Sequence, residues 1–142
     1  MKPWFVPPSW VVLPAAGALS LALAALPAAP GRAAEDQGWY TPAQATQGHQ
    51  LFNNSCAQCH RPDLTGAMGP ALVGDAFLSR WSNKPLGSLF NFEHTTMPAV
   101  NPGSVPTDQM WAITAYILER NGFPAGSTPL NQNTGANRIL KK

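Results

Sequence analysis

The stretch that decides the fold of this chain is Cys56-Ala57-Gln58-Cys59-His60. Two cysteines at this spacing can place both sulfur atoms on one helical turn, and a histidine follows them directly. Sulfurs in this arrangement add across the two vinyl groups of a haem, and the imidazole then lies under the iron. The motif predicts one covalently attached haem c, with Cys56 and Cys59 as attachment points and His60 as an iron ligand.

A C-x-x-C pair also occurs in redox dithiols, structural disulfides and zinc sites. Cys56 and Cys59 are the only cysteines of the 142 residues, so a zinc site lacks its second cysteine pair. A redox dithiol is typical of a βαβ context, which the sequence does not show. The histidine directly after the second cysteine favours haem over all three alternatives.

Residues 1–34 are typical of a secretory signal peptide. Lys2 precedes an apolar run from Val11 to about Leu26, and small residues follow at Ala33 and Ala34. We expect cleavage near Ala33 or Ala34 and export to the periplasm. The alternative is a retained membrane anchor, because the uncharged stretch approaches the length that spans a bilayer. Prolines and a glycine within this stretch favour removal.

The charge balance argues against a nucleic-acid partner. The whole chain has nine basic and seven acidic residues, and loss of residues 1–34 removes Lys2 and Arg32 but no acid. Seven basic residues then face seven acidic ones, and the two haem carboxylates would make the mature protein slightly acidic. Nucleic-acid binding needs clustered Lys and Arg. A membrane partner is expected only if the N-terminal segment is retained.

The rest of the chain predicts helices separated by loops. Thr41 suits an N-cap and Pro42 a first helical position. Gly48 lies inside the apolar stripe of that helix, where it costs stability and indicates the close approach of another element. Segments 61–74 and 95–106 are rich in Gly or Pro and predict loops. The predicted helices are 41–52, 75–81, 85–92 and 107–121.

Iron in an electron carrier usually takes a second axial ligand on the opposite face of the haem. The candidates are His49, Met68, His94, Met97 and Met110. Met110 lies on the apolar stripe of a predicted helix, and His49 lies on the helix that leads into the motif. Met68 follows His60 by eight residues. Rounding the haem edge takes roughly seven or eight fully extended residues at about 3.3 Å each, so this connection leaves no slack for Met68 as the ligand.

Met97 is the favoured sixth ligand. It lies 37 residues after His60, in a proline-bounded loop that can hold a thioether still. His94, three residues earlier, is the main alternative. The choice matters because a thioether ligand stabilises ferrous iron and raises the reduction potential relative to an imidazole.

Four stretches, GHQLFNNSCAQCH, GPAL, TTMP and AYILERNG, taken in this order, resemble the class I cytochromes c. The resemblance implies an all-α fold over residues 35–123, followed by a surface-lying tail over residues 124–142. It also implies that the N-terminal helix crosses the C-terminal one near Gly48, that Pro70 packs beside His60, and that Met97 is the sixth ligand.

Two further stretches, AFLSRWSNKPLGSLFNFEHTTMPAVNPGSV and NGFPAG, resemble the cytochrome domains of pyrroloquinoline quinone-dependent dehydrogenases. This resemblance implies a non-enzymatic electron carrier, with a periplasmic dehydrogenase as donor and an oxidase or another cytochrome as acceptor. Trp81 could lie against the haem edge or a propionate, or simply pack between helices. The alternative function is a haem enzyme or a gas or redox sensor with an exchangeable sixth ligand.

Overall fold

A computed structural model describes residues 38–142, so the predicted export segment, residues 1–34, lies outside the described residues. The described part is helical and contains no β-strand, only an isolated bridge between Pro85 and Ile139. This confirms the all-α prediction. The helices are α1 Pro42–Ser55, α2 Ala57–His60, α3 Gly74–Trp81, α4 Leu86–Thr96, α5 Thr107–Arg120 and α6 Gln132–Gly135.

Helix α1 begins where its capping residues predict. The Thr41 side chain accepts a hydrogen bond from the backbone N–H of Gln44 at 3.2 Å, and Pro42 occupies the first turn. Both features satisfy or remove N–H groups that a helix start leaves unpaired. The helix continues to Ser55, and the short helix α2 follows it almost directly. Helix α1 therefore positions the cysteine motif at its C-terminal end.

Helices α1 and α5 pack against each other at Gly48. A Cβ atom added at Gly48 would lie 1.8 Å from the carbonyl oxygen of Ala112 and 3.0 Å from Cβ of Tyr116. The Tyr116 ring contacts the rings of His49 and Phe52, with centroid separations of 4.7 and 5.5 Å. The predicted crossing is present, and only a residue without a side chain fits at its centre.

Helix α5 forms the middle of the core. Every residue from Met110 to Leu118 is buried, so this helix is covered on all sides and not only along its predicted apolar stripe. The Phe90 ring of α4 stacks on Trp111 with a centroid separation of 3.7 Å. Helix α1 leads into the cysteine motif and helix α4 leads into Met97. Both helices pack on α5, so both parts of the site are positioned against the same helix.

Helix α4 is longer than the sequence predicts. It continues to Thr96, although residues 95 and 96 were expected in a loop. The hydroxyls of Thr95 and Thr96 donate to the carbonyls of Asn91 and Phe92, each at 2.6 Å, so these side chains bond within the helix. The irregular segment begins at Met97, which is the C-cap of α4.

The C-terminal segment packs onto the domain. Leu130, Ala136 and Leu140 are buried, whereas Ile139 is 39% exposed. The Gln44 side chain of α1 donates to the carbonyl of Leu130 and accepts from its N–H, both at 2.7 Å. None of the helices within residues 38–142 has both the length and the apolar composition that crossing a membrane requires.

Candidate haem site

The cysteine motif forms the short helix α2. Backbone N–H groups of Cys59 and His60 both reach the carbonyl oxygen of Cys56, at 3.1 and 3.0 Å. The two cysteines are half-buried and are not joined by a disulfide. Burial, followed by the nearby Glu93 and Cys59, raises the pKa of the Cys56 thiol to about 12. Such a thiol stays protonated, which does not suit an activated redox dithiol.

The imidazole of His60 is fixed by the loop that follows it. Its Nδ1 lies 2.8 Å from the carbonyl oxygen of Pro70. Because a carbonyl can only accept, Nδ1 carries the proton and Nε2 is left as the free lone pair. A Cβ atom at Gly69 would lie 2.5 Å from Cε1 of His60, so the loop backbone touches the ring. The histidine is thus prepared as a metal ligand in tautomer and orientation.

A cavity of about 600 Å³ opens beside this histidine. Its size lies within the range typical of pockets for cofactors. All of the residues predicted for the site line it: Cys56, Cys59, His60, Pro70, Trp81 and Met97. Apart from a few polar groups, the other walls are apolar residues of α1, α3, α4 and α5 and of the loops within residues 68–72 and 98–105. The structure therefore brings together residues that lie up to 41 positions apart in the sequence.

The candidates for the sixth ligand separate in the structure. Met68, Met97 and Met110 line the cavity, whereas neither His49 nor His94 is among its described lining residues. His94 stacks on Phe90 at 5.3 Å, and His49 stacks on Tyr116.

The three methionines differ in their surroundings. Met110 is 2% exposed within α5, and Met68 is 76% exposed in the loop just before Pro70. Met97, half-buried at the end of α4, is held by the hydrogen bond from its backbone N–H to the carbonyl of Glu93 at 2.9 Å. Met97 is thus the partly buried methionine of the three, between the fully buried Met110 and the exposed Met68, and its backbone is fixed at the end of α4.

A buried carboxyl group also lines the cavity. Oε2 of Glu93 accepts a hydrogen bond from the Thr114 hydroxyl at 2.7 Å, and its Oε1 has no hydrogen-bond partner among the described residues. Burial raises the pKa of Glu93 to about 8, opposed in part by the Thr114 hydrogen bond. The Thr114 hydroxyl also lies 2.9 Å from the carbonyl of Met110.

Glu93 is a lining residue that the sequence analysis above does not include among the predicted site residues. A signal was present, because the apolar stripe of α4 through Leu86, Leu89 and Phe90 continues one helical turn further onto Glu93. A carboxyl group at a stripe position is unusual, since it must be buried with a partner or with a raised pKa. The unpaired Oε1 lies at the wall of the cavity, where a bound cofactor would be its neighbour.

Arg80 supplies a positive charge at the cavity wall. Its guanidinium lies over the ring of Phe92 at 4.6 Å and over the ring of Trp81 at 5.2 Å. Trp81 is 8% exposed and contacts Phe92 at a centroid separation of 5.6 Å, so it both packs between helices and lines the cavity. A cation beside an apolar cavity suits a flat apolar cofactor that carries carboxylates.

Comparison with known proteins gives the family. A sequence model of the family described as cytochrome c oxidase, cbb3-type, subunit III matches residues 43–117, which is more than half of the chain. The chain belongs to this cytochrome c family. Cytochrome c-551 of Bacillus subtilis (strain 168) is 39% identical over 87 residues, covering 60% of this chain and 71% of the relative.

The fold of this cytochrome c is also found in a solved structure. A chain of the sulfane dehydrogenase SoxCD from Paracoccus pantotrophus superposes with a TM-score of 0.54 at 24% identity. The match covers 68% of this cytochrome and 52% of the SoxCD chain, so it spans about half of that chain and supports the fold alone. Family and motif together give one haem c, covalently attached at Cys56 and Cys59.

Proposed function

We propose that this cytochrome c transfers single electrons in the periplasm with His60 and Met97 as the axial ligands of its haem iron. The observation that carries the proposal is that both side chains line one cavity, and that the His60 tautomer is set by the Pro70 carbonyl. The bound haem supplies the one-electron Fe(III)/Fe(II) couple. The chain supplies ligation, burial and a preference for one oxidation state.

Each residue of the site has a defined task in this proposal. Cys56 and Cys59 hold the cofactor by thioether bonds, so it is not lost between reactions. Pro70 keeps the proton on Nδ1 of His60 and so leaves Nε2 available to the metal. Met97 provides a soft thioether that favours Fe(II). The apolar walls exclude water, which keeps the reorganisation that accompanies electron transfer small.

The mouth of the cavity supports electron exchange with another protein. Met68 and Val100 line the cavity and are 76% and 94% exposed, respectively. Exposed apolar side chains that lie together form a surface suited to contact with another protein. We infer that a partner protein docks here, at the opening of the cavity that would hold the haem.

The donor in this proposal is a periplasmic quinone-cofactor dehydrogenase, and the acceptor is an oxidase or another cytochrome. The likeness of segment 76–105 to cytochrome domains of such dehydrogenases supports the donor. The signal-like residues 1–34 support the compartment. The cysteine motif and both proposed ligands belong to one domain, so the site needs no residue from another chain. The proposal therefore applies equally to a free carrier and to a subunit of a dehydrogenase complex.

The test is a redox titration of the mature holoprotein, followed by rapid mixing with a candidate quinone dehydrogenase and its substrate. The proposal predicts one Nernstian step and reduction of the haem on mixing. Val100→Asn should slow the reduction without changing the potential, while Ala43→Asn, which changes an exposed residue of α1 outside the cavity lining, should leave the rate unchanged. Rapid binding of carbon monoxide or cyanide by the native protein would favour an enzyme or sensor instead.

A further inference from the structure

The N-terminus of α4 has no side-chain cap. Its N-cap residue is Pro85, which makes no capping hydrogen bond, so the first N–H groups of the helix need partners from elsewhere. The C-terminal segment provides them. The N–H of Leu86 donates to the carbonyl of Arg138 and the N–H of Gly87 to the carbonyl of Ala136, both at 2.8 Å. Two backbone carbonyls therefore replace the usual Ser, Thr, Asn or Asp.

The segment that carries these carbonyls, residues 130–140, is anchored at both ends, and we call it the capping segment. At one end Leu130 is 1% exposed and is held by Gln44. At the other end Leu140 is 1% exposed, and its backbone bonds to Asn83 and Lys84 at 2.7 and 3.0 Å. A segment fixed in this way presents its carbonyls at a set position.

The capping segment also fits closely onto the first turn of α4. A Cβ atom at Gly87 would lie 3.0 Å from the carbonyl oxygen of Ala136, and one at Gly135 would lie 3.3 Å from Cδ2 of Leu86. Leu86 itself is fully buried. The contact is therefore apolar packing as well as hydrogen bonding, and it closes the start of the helix from solvent.

The other end of α4 is Met97. This residue is the C-cap of the helix, and its N–H donates to the carbonyl of Glu93 in the last turn. Helix α4 has 11 residues, about three turns, so its two ends lie about 16 Å apart on one rigid rod. A helix whose first turn frays can shift or unwind toward its other end, because helical hydrogen bonds form cooperatively.

We propose that the capping segment positions the sixth iron ligand: by capping α4 at its start, it holds Met97 at the end of the same helix against the haem. This inference rests on the ligation by Met97 proposed above. The capping segment lies outside residues 43–117, which the family model matches. Met97 in this protein is therefore held from a part of the chain that contributes no residue to the cavity lining.

The experiment compares the mature holoprotein with a variant that ends at Pro129. The readouts are the absorption band of the Met–Fe(III) bond and the affinity for added imidazole, which competes with the thioether. We expect a weaker band and imidazole binding tighter by about tenfold, the size of effect that loss of a helix cap has. Pro85→Asp, introduced into the shortened chain, restores a side-chain cap and should reverse both changes.

A milder variant covers the case in which the shortened chain does not fold. Leu140→Ala keeps the full chain but loosens one anchor, and it should change both readouts in the same direction by a smaller factor. Tyr40→Phe is the control, because it removes the hydrogen bond to the carbonyl of Phe123 without touching α4. It should lower stability and leave imidazole affinity unchanged.

Two results would count against the inference. If shortening or Leu140→Ala lowers only the unfolding midpoint and leaves imidazole affinity unchanged, the capping segment does not position Met97. If Pro85→Asp restores neither readout, the cap is not the cause. Absence of the Met–Fe(III) band from the intact protein is a separate outcome, because it would contradict the proposed ligation itself.

Discussion

Oε2 of Glu93 lies 2.7 Å from Oγ1 of Thr114, and this pair joins α4 to α5 at the wall of the haem cavity. Burial raises the pKa of Glu93 to about 8. The unfolded chain, by contrast, releases this proton near the ordinary value of 4.5. Cys56 is a thioether in the holoprotein and no longer titrates. The carboxyl therefore couples stability to pH.

The first prediction concerns this coupling. Below the pKa of the unfolded chain, Glu93 is protonated in both states, and its contribution to the free energy of unfolding is complete. Between the two pKa values only the folded state holds the proton, so the free energy of unfolding falls as the pH rises. Each unit between the two pKa values corresponds to roughly 1.4 kcal/mol. Glu93→Gln should remove this slope, so the variant gains stability relative to the parent between pH 5 and pH 8.

Denaturant unfolding of both holoproteins at several pH values measures the effect. Glu119→Gln on the exposed end of α5 is the control, and its slope should match that of the parent. Parallel slopes for Glu93→Gln and the parent would show that the carboxyl is not held protonated.

Gly48 gives the second prediction. Because a Cβ there would overlap the Ala112 carbonyl, Gly48→Ala should destabilise the holoprotein by about 3 kcal/mol, the upper part of the range for overpacking. Thr46→Ala, on the exposed face of α1, should change stability by less than about 1 kcal/mol. Thermal or denaturant unfolding checks both. Equal stability of Gly48→Ala and the parent would contradict the close crossing of α1 and α5.

The third prediction concerns the loop against His60. A side chain at Gly69 must displace the imidazole ring or the loop, so Gly69→Val should change the ligand field of the iron and weaken the hydrogen bond to Pro70. We expect a shifted reduction potential and an altered ferric spectrum. Ala67→Val, two residues earlier and exposed, is the matched control. If both variants have the parent potential, the loop does not fix the ring.

The fourth prediction concerns covalent attachment. Cys56→Ala leaves a single thioether, so the yield of holoprotein should fall strongly and the chain should lose most of its folded population. The physical reason is that the haem fills a cavity of about 600 Å³ at the centre of a small domain. Alkaline haem spectroscopy on the unfolded chain and circular dichroism measure the two effects. A stable fold without haem would refute this account of the core.

The sequence predicted the cofactor and the fold because both depend on local patterns. The haem motif is contiguous, Thr41 and Pro42 mark a helix start, and Gly48 signals a close crossing. Glu93 was missed because its burial depends on which face of α4 meets α5. The capping of α4 by residues 136 and 138 could not be predicted either, since backbone carbonyls carry no sequence signal. Long-range contacts of this kind need the fold.

The central claim is that Met97 is the sixth ligand, and the reduction potential of Met97→His tests it most directly. Met68→Leu and His94→Gln are the controls. We predict that Met97→His abolishes the Met–Fe(III) band and lowers the potential by a substantial part of the roughly 0.8 V range that axial ligands control. Both controls should keep the parent values. An unchanged band and potential in Met97→His, with loss of the band in Met68→Leu, would contradict the account.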